Sequence, residues 1–239
     1  MDAAEYCREI EAHLCRRNGG HLVRLVGPAF ECVQRWIALG IPFKVACQGI
    51  DRHVERASAR GTRRRPVRLE FCEADVLDAF DAWRRAVGLT AADAAAPGDE
   101  AATGEPHAAP RHASLPAHLA RAIARLTALR TGPGVDQDWS NALEEAARRI
   151  DALTATGRRA RGSARDAVVG ELAAIDEALV RAAARLAPAE VKALADAEAA
   201  EDLAPYRGRL PADDFASALE RARVRALRMR LGLPQIAFD

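Results

Sequence analysis

The sequence has few lysines, few aromatic residues and no long apolar run. Of its 35 basic residues only Lys44 and Lys192 are lysines, and aromatic residues make up 5% of the chain. No segment approaches the roughly 18 consecutive apolar residues of a membrane-spanning helix, so we predict no membrane segment. Met1 leads into an acidic amphipathic stretch instead of a secretory leader. We therefore expect a cytoplasmic protein.

Sequence motifs of catalysis are missing as well. The chain has no G-x-S-x-G, no glycine-rich phosphate loop and no H-E-x-x-H pattern. Asp75 and Asp78 lie beside arginines in a helical pattern that is typical of solvated ion-pair faces. His107, His112 and His118 lie in or beside a segment with nothing to orient them. We therefore predict a protein without enzymatic activity and without a cofactor.

The cysteine pattern predicts free thiols and no metal. The number of cysteines is odd, and none forms the close C-x-x-C pairs of metal sites. They are expected to stay reduced, as in the cytoplasm. A convergence of three of them on a metal remains an open alternative, with Cys7, Cys15 and Cys72 as the candidates. The other two cysteines are Cys32 and Cys47.

Composition and periodicity indicate an all-α protein. The chain is 49% apolar with a net charge of +1, which suits a folded core and gives no overall attraction to nucleic acid. Apolar residues recur at helical spacing, and glycine or proline ends each run. The segment 21–26 is a short β-branched run and the segment 66–71 alternates in polarity, which leaves open a two-stranded ribbon. The predicted helices are 3–17, 28–40, 43–61, 73–87, 116–131, 138–156, 164–186, 188–204 and 213–231.

These helices fall into two groups separated by a change of composition. Residues 1–88 are predicted to form a compact helical unit that resembles a helix-turn-helix. Residues 89–114 are rich in Ala, Pro, Gly and acids and are predicted to be a disordered linker. Residues 115–239 are predicted to form an Ala/Leu-rich bundle or hairpin, with a short free tail at 232–239.

The third predicted helix carries a concentration of arginines. Arg52, Arg56 and Arg60 are spaced to share one helix face. Such a face can bind nucleic acid phosphates in a salt-dependent way, as the second helix of a helix-turn-helix does. The alternative is an ordinary solvated face, because the same Arg/Ala bias runs through the whole chain. The basic run continues past the helix with Arg63, Arg64, Arg65 and Arg68.

Within residues 28–84, a predicted helix that ends in Trp36 and Gly40-Ile41-Pro42 leads directly into a second helix. This arrangement resembles the DnaD-type domain of bacterial replication-initiation (primosome) proteins. The family has an aromatic element later in the domain. Here Phe71, Val76 and Phe80 take its place, with residue types and spacing that differ from the family's. The resemblance implies a helical fold and a role in DNA replication. The other residues that carry it are Phe30, Val33, Ile37, Val45 and Ile50.

The last residues of the chain include Gln235, Ile236 and Phe238. They are similar to the short peptides by which replication proteins bind the bacterial sliding clamp, with Phe238 one place early. The alternative is an apolar tail that packs on its own domain. We therefore predict a non-enzymatic, DNA-associated protein whose C-terminal helices bind a protein partner or self-associate. The alternative is a helical interaction scaffold that binds no nucleic acid.

Overall fold

The computed structural model describes residues 1–59, 66–90, 114–132, 136–157 and 160–238. These residues form nine α-helices and two short 3-10 helices and contain no β-strand. No helix in these ranges combines the length and apolarity that a membrane crossing requires. The helices are α1 (Ala3–Arg17), α2 (Pro28–Ala38), α3 (Phe43–Ala59), α4 (Glu73–Val87), α5 (Leu115–Arg130), α6 (Gln137–Gly157), α7 (Ser163–Leu186), α8 (Ala189–Leu203) and α9 (Ala212–Leu231).

The predicted all-α class is therefore confirmed, but the two-stranded ribbon is wrong. Residues 21–26 form no strand, and Leu69–Cys72 form a 3-10 helix. The side chain of Asn18 takes the place of a strand partner for Val67. Its Nδ2 donates to the Val67 carbonyl at 2.9 Å, and its Oδ1 accepts from the Val67 amide at 2.8 Å. One buried amide thus satisfies the backbone groups that a second strand would otherwise pair.

The chain divides into two compact units, which are described separately. Unit 1 contains residues 1–102 and 197–222, and unit 2 contains residues 103–196 and 223–239. This division differs from the predicted one, because 197–222 lie within the expected C-terminal part but pack in unit 1. Nearly all of the predicted linker (91–113) lies outside the described residues.

The core of unit 1 is built around α3. Val45, Ala46 and Ile50 are completely buried on its inner face. Gly49, on the same face, lets α3 and α4 approach closely, because a Cβ placed there would lie 2.4 Å from the Cα of Val76. Tyr6, Ile10 and Leu14 of α1 and Val76, Phe80 and Trp83 of α4 complete this core, as their spacing predicts.

Tyr206, in the 3-10 helix Ala204–Tyr206, belongs to the same core. Its side chain is fully buried, its ring centroid lies 5.9 Å from that of Trp83, and its hydroxyl donates to the Gly40 carbonyl at 3.1 Å. Tyr6 donates to the carbonyl of Ile41 at 3.1 Å. Two buried tyrosines, from opposite ends of the sequence, therefore fix the turn between α2 and α3.

Unit 2 contains two successive antiparallel helix pairs, α5–α6 and α6–α7. The end of α5 contacts the start of α6 through Arg130 and Glu144, whose side chains are 2.9 Å apart. The end of α6 contacts both other helices, because the Cβ position of Gly157 lies 2.9 Å from Leu119 and 3.9 Å from Val168. The apolar stripe of α7 is buried at Leu172, Ile175, Leu179 and Ala183. This confirms the expectation of a packed helical hairpin in the C-terminal part.

The tail is not a free end, so that part of the prediction is wrong. Leu233 and Ile236 are buried in the core of unit 2, and Phe238 is partly buried against it. Two large apolar side chains on α2 and α4 of unit 1 are exposed. Phe30 of α2 is 44% exposed and Leu77 of α4 is 37% exposed.

Candidate nucleic-acid interface

The second half of α3 presents arginines to solvent because its apolar residues face the other way. Ile50 and Val54 are buried, whereas Arg52 and Arg56 are exposed one turn apart. Among the described residues, no ion pair involves Arg52. Glu55 is exposed on the same stretch. Two of the predicted arginines are therefore exposed on the described part of α3, and their binding of nucleic acid stays a prediction.

An aspartate of α3 holds an arginine of α1 beside this face. Oδ1 of Asp51 lies 2.5 Å from Nε of Arg17 and 2.7 Å from Nε2 of His13. Partial burial raises the pKa of the Asp51 carboxyl, but the hydrogen bonds from Arg17 and His13 outweigh that effect and leave the pKa below its ordinary value. The carboxylate is therefore charged at neutral pH and ties Arg17 of α1 to α3, at the residue that precedes Arg52.

Asp75 of α4 binds an arginine of α3 in a similar way. Oδ2 of Asp75 lies 2.5 Å from Nη2 of Arg56 and 2.9 Å from Nδ1 of His53. The Asp75 side chain is only 1% exposed, so the expectation of a solvated surface carboxylate is wrong. Its other oxygen, Oδ1, is buried without a hydrogen-bond partner among the described residues.

The ion-pair clusters at Asp51 and Asp75 each have two opposing effects on a phosphate-binding face. A guanidinium has five N–H donors, so an arginine bound to one carboxylate oxygen keeps other donors for a phosphate and is held in a fixed direction. The carboxylates also cancel charge. Asp51 pairs with Arg17 and Asp75 pairs with Arg56, whereas Arg52 has no ion-pair partner among the described residues.

The remaining predicted arginines are only partly described. Arg68 is 71% exposed and lies 3.4 Å from Glu70. The Asn18–Val67 hydrogen bonds bring the segment before Arg68 next to the end of α1, where Arg17 lies. Four predicted residues fall outside the described residues: Arg60, Arg63, Arg64 and Arg65.

The first half of α3 is covered, unlike the exposed end of a helix that reads bases in the major groove. Nζ of Lys44 lies 2.7 Å from a carboxylate oxygen of Glu198, whose side chain is 5% exposed. The turn before α3 is enclosed by Tyr6 and Tyr206, and a Cβ at Gly40 would meet Pro205 at 3.1 Å. The described surface of α3 is therefore suited to contacts with phosphates more than to contacts with base edges.

The cysteines show no arrangement that suggests chemistry. All five are free thiols. Burial raises the pKa of the Cys32 and Cys47 thiols to about 12, so both are protonated at neutral pH. Within the described ranges, no three His, Cys, Asp or Glu side chains are grouped as a metal ion would require, and the candidates Cys7, Cys15 and Cys72 are not such a group.

The residues predicted to bind a sliding clamp are engaged within unit 2. Ile236 has no exposed surface, and the ring of Phe238 lies 5.1 Å from that of His118 in an edge-to-face arrangement. His118 is therefore oriented, contrary to the expectation from the sequence. Gln235 is exposed. A clamp contact through these side chains would require the tail to leave unit 2.

Compared with known proteins, the chain matches no family model, no curated protein and no solved structure. The resemblance to the DnaD-type domain thus stays a prediction. Of the residues that stand for the family's aromatic element, Val76 and Phe80 lie in the core, and Phe71 is 64% exposed.

Sequence reasoning missed the residues that hold the arginines in place. The burial of Asp75 has a signal in the sequence, since Asp75, Ala79 and Trp83 recur every four residues along the buried side of α4. The pairing of Asp51 with His13 and Arg17 has a weaker signal in the sequence, because His13 and Arg17 are four residues apart on α1 and share a face. No local pattern shows that these two residues of α1, or Asp75 of α4, contact α3.

Proposed function

We propose that this protein is a non-enzymatic, cytoplasmic, DNA-associated protein that contacts the phosphate backbone through the second half of α3. The proposal is carried by Arg52, an exposed arginine that lies one helical turn from Arg56 and next in sequence to Asp51, the carboxylate that binds Arg17. The resemblance to replication-initiation domains adds replication as the expected setting. The sequence run from Arg63 to Arg65 extends the same charge along the chain.

The proposed mode of binding is independent of base sequence. Phosphate contacts fix the position of a protein on DNA but carry no sequence information, whereas reading bases requires side chains that enter a groove. The covered first half of α3 supports binding through phosphate contacts. Affinity should therefore fall steeply with salt, by a logarithmic slope of about 0.9 for each phosphate neutralised on duplex DNA.

The test is fluorescence anisotropy with the full chain and labelled single- and double-stranded DNA over a salt series. The full chain is needed because residues 197–222 complete unit 1. The informative variant is Arg52→Gln, since changing Arg17 or Arg56 would also strip a partner from Asp51 or Asp75. We expect Arg52→Gln to lower the slope of affinity against salt by about one phosphate contact.

Arg85→Gln is the matched control. Arg85 is exposed on α4, ten residues beyond Asp75 and so about 15 Å further along that helix. It should leave the salt slope unchanged. Equal losses in both variants would indicate a diffuse electrostatic attraction, and no binding of the wild-type chain at low salt would contradict the proposal. An Arg63/Arg64/Arg65→Gln variant tests the remaining predicted residues in the same way.

A helical interaction scaffold without nucleic acid is the second candidate. It is favoured by the ion pairing of the arginines, because Arg17, Arg35, Arg56 and Arg68 each lie within 4 Å of a carboxylate. Light scattering of the full chain tests self-association. A concentration-dependent mass without DNA binding would favour the scaffold, whereas a strictly monomeric chain would remove its self-associating form.

A further inference from the structure

The segment 21–26, between α1 and α2, packs against unit 1 with every second side chain. Leu25 is buried and Val23 packs against the core, whereas Leu22 is 82% exposed and Val26 is 69% exposed. Alternation with a period of two is the pattern of an extended chain with one covered face. The segment therefore has the side-chain arrangement of a half-buried strand, although no strand pairs with it among the described residues.

This segment is held in place in its middle and at both ends. The Leu25 amide donates to Oε1 of Glu11 in α1 at 2.7 Å. The amide of Gly20 donates to a carbonyl of α1 at 3.0 Å, and the carbonyl of Gly27 accepts from an amide of α2 at 3.1 Å. A partner that binds a segment fixed in this way loses little affinity to the ordering of a loop.

One row of backbone groups in the segment is open. Besides the Leu25 amide, no backbone group of residues 21–26 forms a hydrogen bond with a described residue. Neighbouring residues of an extended chain point their N–H and C=O groups to opposite sides. Those of Leu22, Arg24 and Val26 therefore point away from the contact with α1, and we call this row the open edge. An exposed edge is a template for pairing with another strand.

The charge of the outward face favours an acidic partner. Arg24 is exposed between Leu22 and Val26 and has no ion-pair partner among the described residues. No aspartate or glutamate lies between Glu11 and Glu31 in the sequence. On a paired strand, a carboxylate opposite Arg24 would form a cross-strand ion pair, and apolar side chains on either side of it would pack against the two aliphatic residues.

A second copy of the chain and a lipid bilayer both fit these features less well. Antiparallel pairing of two identical edges that sets Leu22 opposite Val26 also sets Arg24 opposite Arg24, and like charges directly opposite each other are destabilising. Insertion of the edge into a bilayer would leave its N–H and C=O groups without partners. An added strand satisfies these groups and covers the apolar side chains at the same time.

We propose that the open edge binds an extended peptide of another protein, in which an acidic residue lies between two apolar residues at alternate positions. The peptide adds as a strand, so that its backbone pairs with Leu22, Arg24 and Val26 and its acid faces Arg24. None of these three residues belongs to the nucleic-acid face proposed on α3. Either function can therefore exist without the other.

The test is hydrogen exchange followed by mass spectrometry on the full chain, with a seven-residue probe peptide in large excess. In the probe, valine, glutamate and valine alternate with four threonines. We expect the amides of Leu22, Arg24 and Val26 to exchange at least about tenfold more slowly when the probe is bound. A titration with the probe gives its affinity. No protection of this segment at the highest probe concentration would overturn the proposal.

The apolar contacts are tested with Leu22→Ala/Val26→Ala, and Leu194→Ala is the matched control. Leu194 is 46% exposed on α8, outside the open edge. We expect the double variant to bind the probe about tenfold more weakly and the control to bind it as the wild-type chain does. Circular dichroism checks that each chain is folded. Equal binding by all three chains would place the probe elsewhere and overturn the docking site.

The acidic residue is tested by exchanging the charges. A probe with arginine in place of glutamate should bind the wild-type chain about three- to tenfold more weakly, and Arg24→Glu should reverse this order. A preference that Arg24→Glu leaves unchanged would overturn the assignment of an acidic partner.

Strand addition itself is tested on the wild-type chain, independently of how any variant folds. Methylating the backbone nitrogens of the two valines and the glutamate removes the donors that face the open edge, so that probe should not bind. Methylating those of the threonines should leave binding intact. Equal binding of both methylated probes would overturn strand addition. A mass that rises with concentration in light scattering, and that Leu22→Ala/Val26→Ala abolishes, would assign the edge to a second copy instead.

Discussion

Asp51 and Asp75 each bind one histidine and one arginine through a single carboxylate oxygen. His13 and Arg17 of α1 meet Asp51, whereas His53 and Arg56 of α3 meet Asp75. Each cluster therefore joins two helices, α1 to α3 and α3 to α4. Because both clusters include residues of α3, the orientation of that helix in unit 1 depends on these two aspartates as well as on its apolar face.

The depressed pKa of Asp51 predicts a loss of stability in acid. Its contribution is fully present above the ordinary aspartate pKa of about 3.9 and is lost as the pH falls through the lower pKa of the folded state. We expect Asp51→Asn to destabilise the chain at pH 6, and the difference from wild type to shrink below about pH 4. Urea unfolding at several pH values measures this. The exposed control Asp78→Asn should show no such convergence, and a constant difference for Asp51→Asn would contradict the argument.

At the scale of helices, the contact between α3 and α4 depends on the absence of a side chain at Gly49. In α3 this glycine lowers intrinsic helix stability by about 1 kcal/mol relative to alanine. It is placed where any Cβ would collide with the backbone of Val76. Backbone atoms cannot rotate away as a flexible side chain can, so the two helices would have to move apart.

We therefore expect Gly49→Ala to destabilise the protein by about 1–3 kcal/mol despite the better helix propensity of alanine. Gly170→Ala in α7 is the matched control, because a Cβ there meets no atom within 4 Å. It should stabilise the protein by up to about 1 kcal/mol. Urea unfolding of both variants gives the two values. Equal effects of the same sign would show that the close approach at Gly49 does not limit packing.

At the scale of the whole molecule, the two units do not correspond to two continuous stretches of sequence. Residues 197–222 lie far along the chain from α1–α4 but supply Ala199, Leu203, Tyr206, Ala218 and Ala222 to the core of unit 1. Arg221 also donates to the carbonyl of Val87 at 2.8 Å, at the end of α4. The stability of unit 1 therefore depends on a segment from the last fifth of the chain.

Tyr206→Ala should loosen unit 1 while leaving the helix pairs of unit 2 protected. Truncating a large buried aromatic side chain typically costs about 3–5 kcal/mol. Hydrogen exchange followed by mass spectrometry should show faster exchange in α2, α3 and α4, with little change in α5 and α6. Leu143→Ala in the core of unit 2 should give the opposite pattern. Faster exchange throughout the chain in both variants would mean that the two units unfold together.

Most of the helix positions were predictable because their signals are local. The glycine and proline at Gly40 and Pro42 mark the turn between α2 and α3, and the spacing of Tyr6, Ile10 and Leu14 marks the inner face of α1. The contact between Tyr206 and Gly40 has no such signal, since 166 residues separate them. The same reason explains why the arginines of α3 were recognised from the sequence and their carboxylate partners on other helices were not.

The late position of residues 197–222 also affects how the protein is made. A ribosome adds about 5–20 residues per second, so the roughly 130 residues between Val87 and Ala222 take about 7–26 s to synthesise. During that time the nascent chain holds α1–α4 without the helices that cover Trp83 and the turn at Gly40. Newly made unit 1 therefore passes through an interval with exposed apolar surface, in which chaperone binding or aggregation competes with its completion.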